Sequence, residues 1–115
     1  MEKIKVIIKR PDEKVGHMTN ISNTLKNLQN IVDGQIQTVP ILPDNGVIMI
    51  CNEDGKNLGL ERNFGMGYFP FRDIVVGTVI ICGTNGEDFG DVPIDMPMWK
   101  HILNLWGGLK CVIVV

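Results

Sequence analysis

Residues 34–63 read GQIQTVPILPDNGVIMICNEDGKNLGLERN and contain two apolar runs and two turn signals. In the first run Ile36, Val39 and Ile41 follow a loose period of two, interrupted at Pro40. Alternation of this kind marks a half-buried strand, and a proline within a strand prefers an edge or a bulge because it has no N–H to give to the ladder. Pro43-Asp44-Asn45-Gly46 is a turn signal: proline presets a negative φ, asparagine tolerates the left-handed region, and glycine enters it without steric cost. Val47 to Cys51 is a continuous apolar run of strand length. Two such runs joined by a short turn containing Asn-Gly predict a β-hairpin. Asn52 to Lys56 is a second turn, with Asp-Gly at its centre, and Leu58 to Asn63 brings the chain back. A lone hairpin is marginal in water, so this one is expected in the middle of a larger sheet.

Upstream, Lys3–Lys9 is β-branched, with Ile4, Val6 and Ile8 on one face and Lys5 and Ile7 on the other. Lys9 to Glu13 ends this strand in a turn, and Val15 to Ile21 reads as a weaker second strand. Ser22 is the expected helix cap, its hydroxyl accepting an orphan amide of the first turn. Ile21, Leu25, Leu28 and Val32 then recur at helical spacing, and Asp33-Gly34 stops the helix. Downstream of the hairpin, Phe64 to Arg72 is glycine-rich and aromatic and is read as an irregular loop. Ile74 to Cys82 is one apolar strand whose Gly77 suggests a bulge or a close backbone approach. After a turn at 83–88 and an irregular stretch, Asp95 or Met96 caps a second helix with Pro97 in its first turn. Gly107-Gly108 stops it, and Lys110–Val115 is expected as a last strand, covered on both faces. The reading is α+β: a mostly antiparallel, curled sheet of about six strands with two helices packed on it.

The 115 residues are expected to form a single domain, large enough to bury a core without disulfides. The net charge of −2 exerts no general pull toward nucleic acid. The charge is uneven, however. Residues 1–26 carry six of the eleven basic residues, while residues 73–95 carry five acids and no base. Cys51, Cys82 and Cys111 are an odd number without close spacing, which fits neither a disulfide framework nor a zinc site. They are read as buried thiols of a reducing compartment, so the expected location is the cytoplasm. No apolar run approaches the ~20 residues that a spanning helix needs.

Candidate chemistry is sparse. His17 and His101 have no carboxylate at a telling spacing, so no catalytic residue is assigned. Asn52, Glu53 and Asp54 could offer oxygens to an ion, but they read better as turn chemistry, and neither metal nor cofactor is expected. Gly65-Met66-Gly67 lacks the third glycine of a dinucleotide fingerprint. The loop instead suggests a lid over an anionic ligand. Arg62 and Arg72 would grip phosphate, Tyr68 would stack on a base, and Asn63 and Asn52 would add polar contacts. Trp99 and Trp106, seven residues apart on one helical face, pack the core or form a self-association surface, since tryptophan is enriched at interface centres.

The opening strand KIKVIIKRP, the helical segment NTLKNLQNIVDGQIQTVP, the stretch GVIMICNEDGKNLGLERN and the segment DIVVGTVIICGTNGEDF together resemble the domain of unknown function 3846 family. The resemblance covers residues 3–89. On it, residues 1–91 form the family-like core, and residues 92–115 add a C-terminal helix and strand. It implies a protein of phages and mobile elements of Gram-positive bacteria, and no catalytic residues come with it. The expected function is a small non-enzymatic binding protein that counters host defence in the host cytoplasm. It would sequester a nucleotide immune signal or block a defence protein, as a homo-oligomer without membrane or general nucleic-acid binding. The alternatives are a small hydrolase of a cyclic nucleotide and a structural accessory module.

Overall fold

The computed structural model describes residues 2–67 and 72–107. In chain order the elements are β1 (Lys3–Lys9), β2 (His17–Ser22), α1 (Leu25–Val32), β3 (Ile36–Leu42), a 3-10 turn (Pro43–Asn45), β4 (Val47–Asn52), α2 (Gly55–Leu58), β5 (Arg62–Met66), β6 (Asp73–Val76), β7 (Val79–Thr84), β8 (Phe89–Gly90) and α3 (Met96–Leu105). The fold is α+β. The main sheet runs β2-β1-β7-β4-β3 with every pairing antiparallel, and β8 pairs with the end of β7. β5 and β6 form a separate two-stranded ribbon.

The strand pattern predicts which side each residue faces, because successive side chains point to opposite faces of a sheet. Ile4, Val6 and Ile8 of β1 lie with Ile50, Ile80 and Cys82 against Leu28 and Val32 of α1. Ile7 lies on the other face with Val47, Met49, Val79 and Ile81, and there Trp99, Ile102 and Leu103 of α3 and Phe64 and Val75 of the ribbon cover it. The central strands are thus apolar on both faces, and three layers result: α1, the sheet, and α3 beside the ribbon. Asp95 caps α3 by accepting a hydrogen bond from the Met98 N–H, with Pro97 in the first turn.

Several local expectations are corrected. The cap of α1 is Thr24, whose hydroxyl accepts from the Asn27 N–H at 3.2 Å; Ser22 is the last residue of β2. The expected 36–52 hairpin forms, with Gln37 opposite Cys51 and Val39 opposite Met49 and a bulge between Pro40 and Leu42. It lies at the side of the sheet, however, with β3 as an edge strand among the described residues. Pro40 suits that position because an outer strand needs no second row of N–H donors. The turn after β4 winds into α2, which Gly59 ends at φ +71°. The expected irregular loop over 64–72 is ordered strand as far as Met66, since Phe64 and Met66 alternate across Gly65 and pair with β6. The expected single strand over 74–82 is two strands in two sheets. Gly77 breaks it at φ +76°, in the region that favours glycine, and its N–H donates to the Glu61 carbonyl. Tyr68, Cys111 and the expected strand Lys110–Val115 lie outside the described residues. Among the described residues, no helix is long and apolar enough to cross a membrane.

Candidate functional site

The β5–β6 ribbon does not cover the whole of the sheet face beneath it. Beside it lies a cleft of ≈ 290 Å³. Its floor is the outer half of the hairpin, where Gln37 stands opposite Cys51 and Val39 opposite Met49 in the β3–β4 register. One end is closed by the turn Glu53–Asn57, and Met66 contributes from β5. The far wall is β6, and all four of its residues, Asp73 to Val76, line the space. Consecutive strand residues point to opposite sides, so a space touched by all four runs along the edge of the strand rather than over one of its faces. Among the described residues β6 pairs only with β5, which leaves that edge unpaired.

The rim is charged. Lys56 pairs with Asp73 across the mouth, both side chains exposed. That hydrogen bond holds the Asp73 carboxyl below its usual range, helped by the Ile74 N–H that also donates to it. Glu53 and Asp54 add two further carboxylates to the lining, so acids exceed bases by three to one. Val39, Met49, Met66 and Val75 supply an apolar part of the lining, beside the polar side chains of Gln37, Asn52 and Asn57. Cys51 is half-buried in the floor, and burial, with the nearby Asp73 charge, pushes its thiol above its ordinary value. It is therefore a weak nucleophile, since the thiolate is the reactive form. Cys82, on the opposite face under α1, is fully buried and pushed up to about 12.

The residues picked out from the sequence do not converge on this cleft. Arg62 opens β5 opposite Val76, whereas Arg72 precedes Asp73 at the other end of the ribbon. Four strand residues separate the two ends, ~13 Å at ~3.3 Å per residue. The Arg72 guanidinium lies over Gly65, where any Cβ would collide with it. Asn63 is a structural joint. Its amide donates to the carbonyls of Lys9 (2.9 Å) and Gly77 (2.8 Å), and its oxygen accepts from Lys9 Nζ at 2.6 Å. A side chain bonded at every polar atom has little left for a ligand.

Asn52 borders the cleft but is buried and committed elsewhere. Its amide donates to the Val32 and Asp33 carbonyls, closing the end of α1, and its oxygen accepts from the Asp54 N–H. Trp99 is fully buried, its indole N–H donating to the Val15 carbonyl at 2.9 Å. It meets Phe64 and Trp106 edge to face, and Trp106, half-buried, stacks on Phe64. Trp99 thus belongs to the core and offers no surface to a partner.

Lys9 was not foreseen. It is only 3 % exposed, donates to the Glu13 carbonyl as well as to Asn63, and sits 5.5 Å from the Phe64 ring centroid. Burial pulls its pKa down against the opposing pull of Glu13 and Asp12. The cleft residues Gln37, Cys51, Lys56 and Asp73 were also missed. Hairpin register alone could have placed Gln37 and Cys51 on one face, but the 17-residue separation of Lys56 and Asp73 carries no local signal. His17 bonds Glu13 and His101 is exposed on α3; neither lines the cleft.

The chain matches, over residues 4–104, the family described as Domain of unknown function (DUF3846). It belongs to that family. The DUF3846 match runs from β1 to the last turn of α3, so both faces of the sheet and both walls of the cleft lie within it. No curated protein and no solved structure gave a significant match.

Proposed function

We propose that this DUF3846 protein is a non-enzymatic binding protein of a phage or mobile element, and that it counters host defence by holding an extended segment of a defence protein in the cleft beside β6. The observation that carries this reading is the cleft itself, with its partly apolar floor, its acidic rim and a strand edge that is unpaired among the described residues. An unpaired edge presents N–H and C=O groups that an extended peptide can continue, and a flanking groove selects every second side chain. Glu53, Asp54 and Asp73 favour a segment carrying basic residues among apolar ones.

A second reading, sequestration of a nucleotide signal, is favoured by size, since ≈ 290 Å³ is close to the lower bound for small-molecule pockets. Its phosphates would have to lie away from the acidic rim, and Arg62 and Arg72 stand too far apart to grip one together. In solution the protein acts as a homo-oligomer in this proposal.

Titration calorimetry separates the readings. A hexapeptide alternating lysine with valine should bind saturably to the native protein, and Asp73→Lys should weaken that binding tenfold or more. Tight binding of cyclic or linear nucleotides without peptide binding would overturn the peptide reading. Chromatography of the same nucleotide mixtures tests the hydrolase alternative, for which consumption of nucleotide is the signature.

A further inference from the structure

The cleft gathers sulfur. Met49 and Cys51 are two residues apart on β4, so their side chains leave the same face of the sheet, and both line the cleft. Their cross-strand partners Val39 and Gln37 line it too, which identifies this face as the one that opens. From the ribbon, Met66 of β5 borders the same space. Met66 stands directly opposite Asp73 in the β5–β6 register, and Asp73 is near enough to Cys51 for its charge to act on the thiol. Packed β layers lie ~10 Å apart, a gap that side chains from the two sides fill. Two thioethers and one thiol are thereby brought to the Asp73 end of one cleft.

Methionine ordinarily fills irregular gaps in a core, because it is unbranched and adaptable. A side chain serving that end alone is enclosed. Here Met49 is only 1 % exposed and lies deepest, but Cys51 and Met66 are half-buried and border open space. Oxygen donors do not converge in the same way. Asp73 is engaged by Lys56, and among the described residues no three His, Cys, Asp or Glu side chains come together to hold an ion. Calcium needs six or more oxygens, and magnesium a near-ideal octahedron of them. Zinc takes cysteine, histidine and carboxylate ligands rather than thioethers.

We propose that Met49, Cys51 and Met66 form a binding site for a soft monovalent cation of the Cu(I) class, with two thioethers and one thiolate as its ligands. Thiolate and thioether sulfurs are the ligands that suit Cu(I) among first-row metals. Cys51 binds as the thiolate and gives its proton to solvent, so each ion bound releases one proton and leaves the charge of the site unchanged. Glu53, Asp54 and Asp73 on the rim raise the local concentration of cations at the mouth. Sequence spacing gives no sign of such a site, since Met66 lies fifteen residues beyond Cys51. The inference rests on the sulfur donors alone, and it stands whether or not the cleft also holds a segment of a defence protein.

Silver nitrate in chloride-free buffer is the first probe, because Ag(I) is a soft monovalent ion that needs no reductant. The full-length protein is labelled with carbon-13 at the methyl groups of its six methionines, and the methyl signals are followed as Ag(I) is added. The Met49 and Met66 signals should shift and saturate at one equivalent, while those of Met18, Met96 and Met98 stay in place. Signals of Met49 and Met66 that do not move at one equivalent overturn the proposal, including where the ion is taken up by another thiol. The second measurement is Cu(I) affinity without oxygen, by competition with bicinchoninate. Met66→Leu should weaken binding at least tenfold, whereas Met98→Leu, at an exposed position, should leave it within twofold. Exchange of methionine for leucine is usually well tolerated, and a thermal melt confirms that each variant is folded. Equal affinities in folded Met66→Leu and the parent likewise overturn the site.

Discussion

Replacing Asn63 with leucine tests whether this residue is a ligand contact or a joint. Its side chain holds the ribbon to the main sheet through three hydrogen bonds, to the Lys9 carbonyl, to the Gly77 carbonyl and from Lys9 Nζ. The bond from the ammonium is charge-assisted and contributes ~1.5–3 kcal/mol, and each neutral bond ~0.5–1.5 kcal/mol. Lys9 is 3 % exposed, so water cannot replace the lost acceptor, and the buried cation keeps only the Glu13 carbonyl. Asn63→Leu should therefore destabilise the protein by ~3–5 kcal/mol, a large share of the ~5–15 kcal/mol typical of a domain. Urea unfolding followed by tryptophan fluorescence measures it, since Trp99 and Trp106 sit against Phe64 beside the joint. A double-mutant cycle supplies the control. Lys9→Met removes the cation, so Asn63→Leu made in that background should cost at least ~1.5 kcal/mol less than in the parent. A cost of Asn63→Leu within ~0.5 kcal/mol, or costs that simply add, would refute the account of this joint. Arg62→Ala, on the exposed neighbour, should change stability by less than ~0.5 kcal/mol.

Three further outcomes are expected. Trp99→Ala removes a fully buried indole and should cost ~3–5 kcal/mol or prevent folding; Trp106→Ala, at a half-buried position, should cost less, and thermal melts of both report the difference. Cys82 has a folded pKa of about 12 against an ordinary 9.0, so the folded state holds the proton more tightly. Stability is therefore full below pH 9 and falls as pH rises from 9 toward 12, by up to ~1.4 kcal/mol per pH unit. Urea midpoints from pH 8 to 10.5 should show Cys82→Ala losing less stability than the parent; identical slopes would contradict the assignment. Gly77→Ala places a Cβ at φ +76°, 2.8 Å from Leu60 Cδ1, and should destabilise by more than ~1 kcal/mol, read from the shift in melting temperature.

By itself the sequence determined the parts whose cause is local. β1, the 36–52 hairpin, α1 and α3 are written in period-two or period-3.6 apolar patterns with turn or capping residues at their ends, and each formed close to where the pattern put it. The alternation of Ile4, Val6 and Ile8 against Ile7 even assigned the two faces of the sheet correctly. Family membership was also legible, since the resemblance seen over residues 3–89 is matched by the family over residues 4–104. What tertiary structure alone decided is every matter of which distant segments meet. Residues 74–82 look like one strand, yet Gly77, at φ +76°, divides them between two sheets, and Val75 before the break packs in one cluster with Met49 and Ile81. Arg62 and Arg72 are ten apart in sequence and look like a pair, but β5 and β6 run antiparallel and place them at opposite ends of the ribbon. Asn52 and Asn63 look like polar groups awaiting a ligand, and folding instead turned each onto backbone carbonyls that needed a donor. The cleft arises in the same way. Asp73, Lys56, Cys51 and Gln37 become neighbours only because β6 comes to rest beside the outer half of the 36–52 hairpin, and contact over such separations leaves no local pattern in the chain.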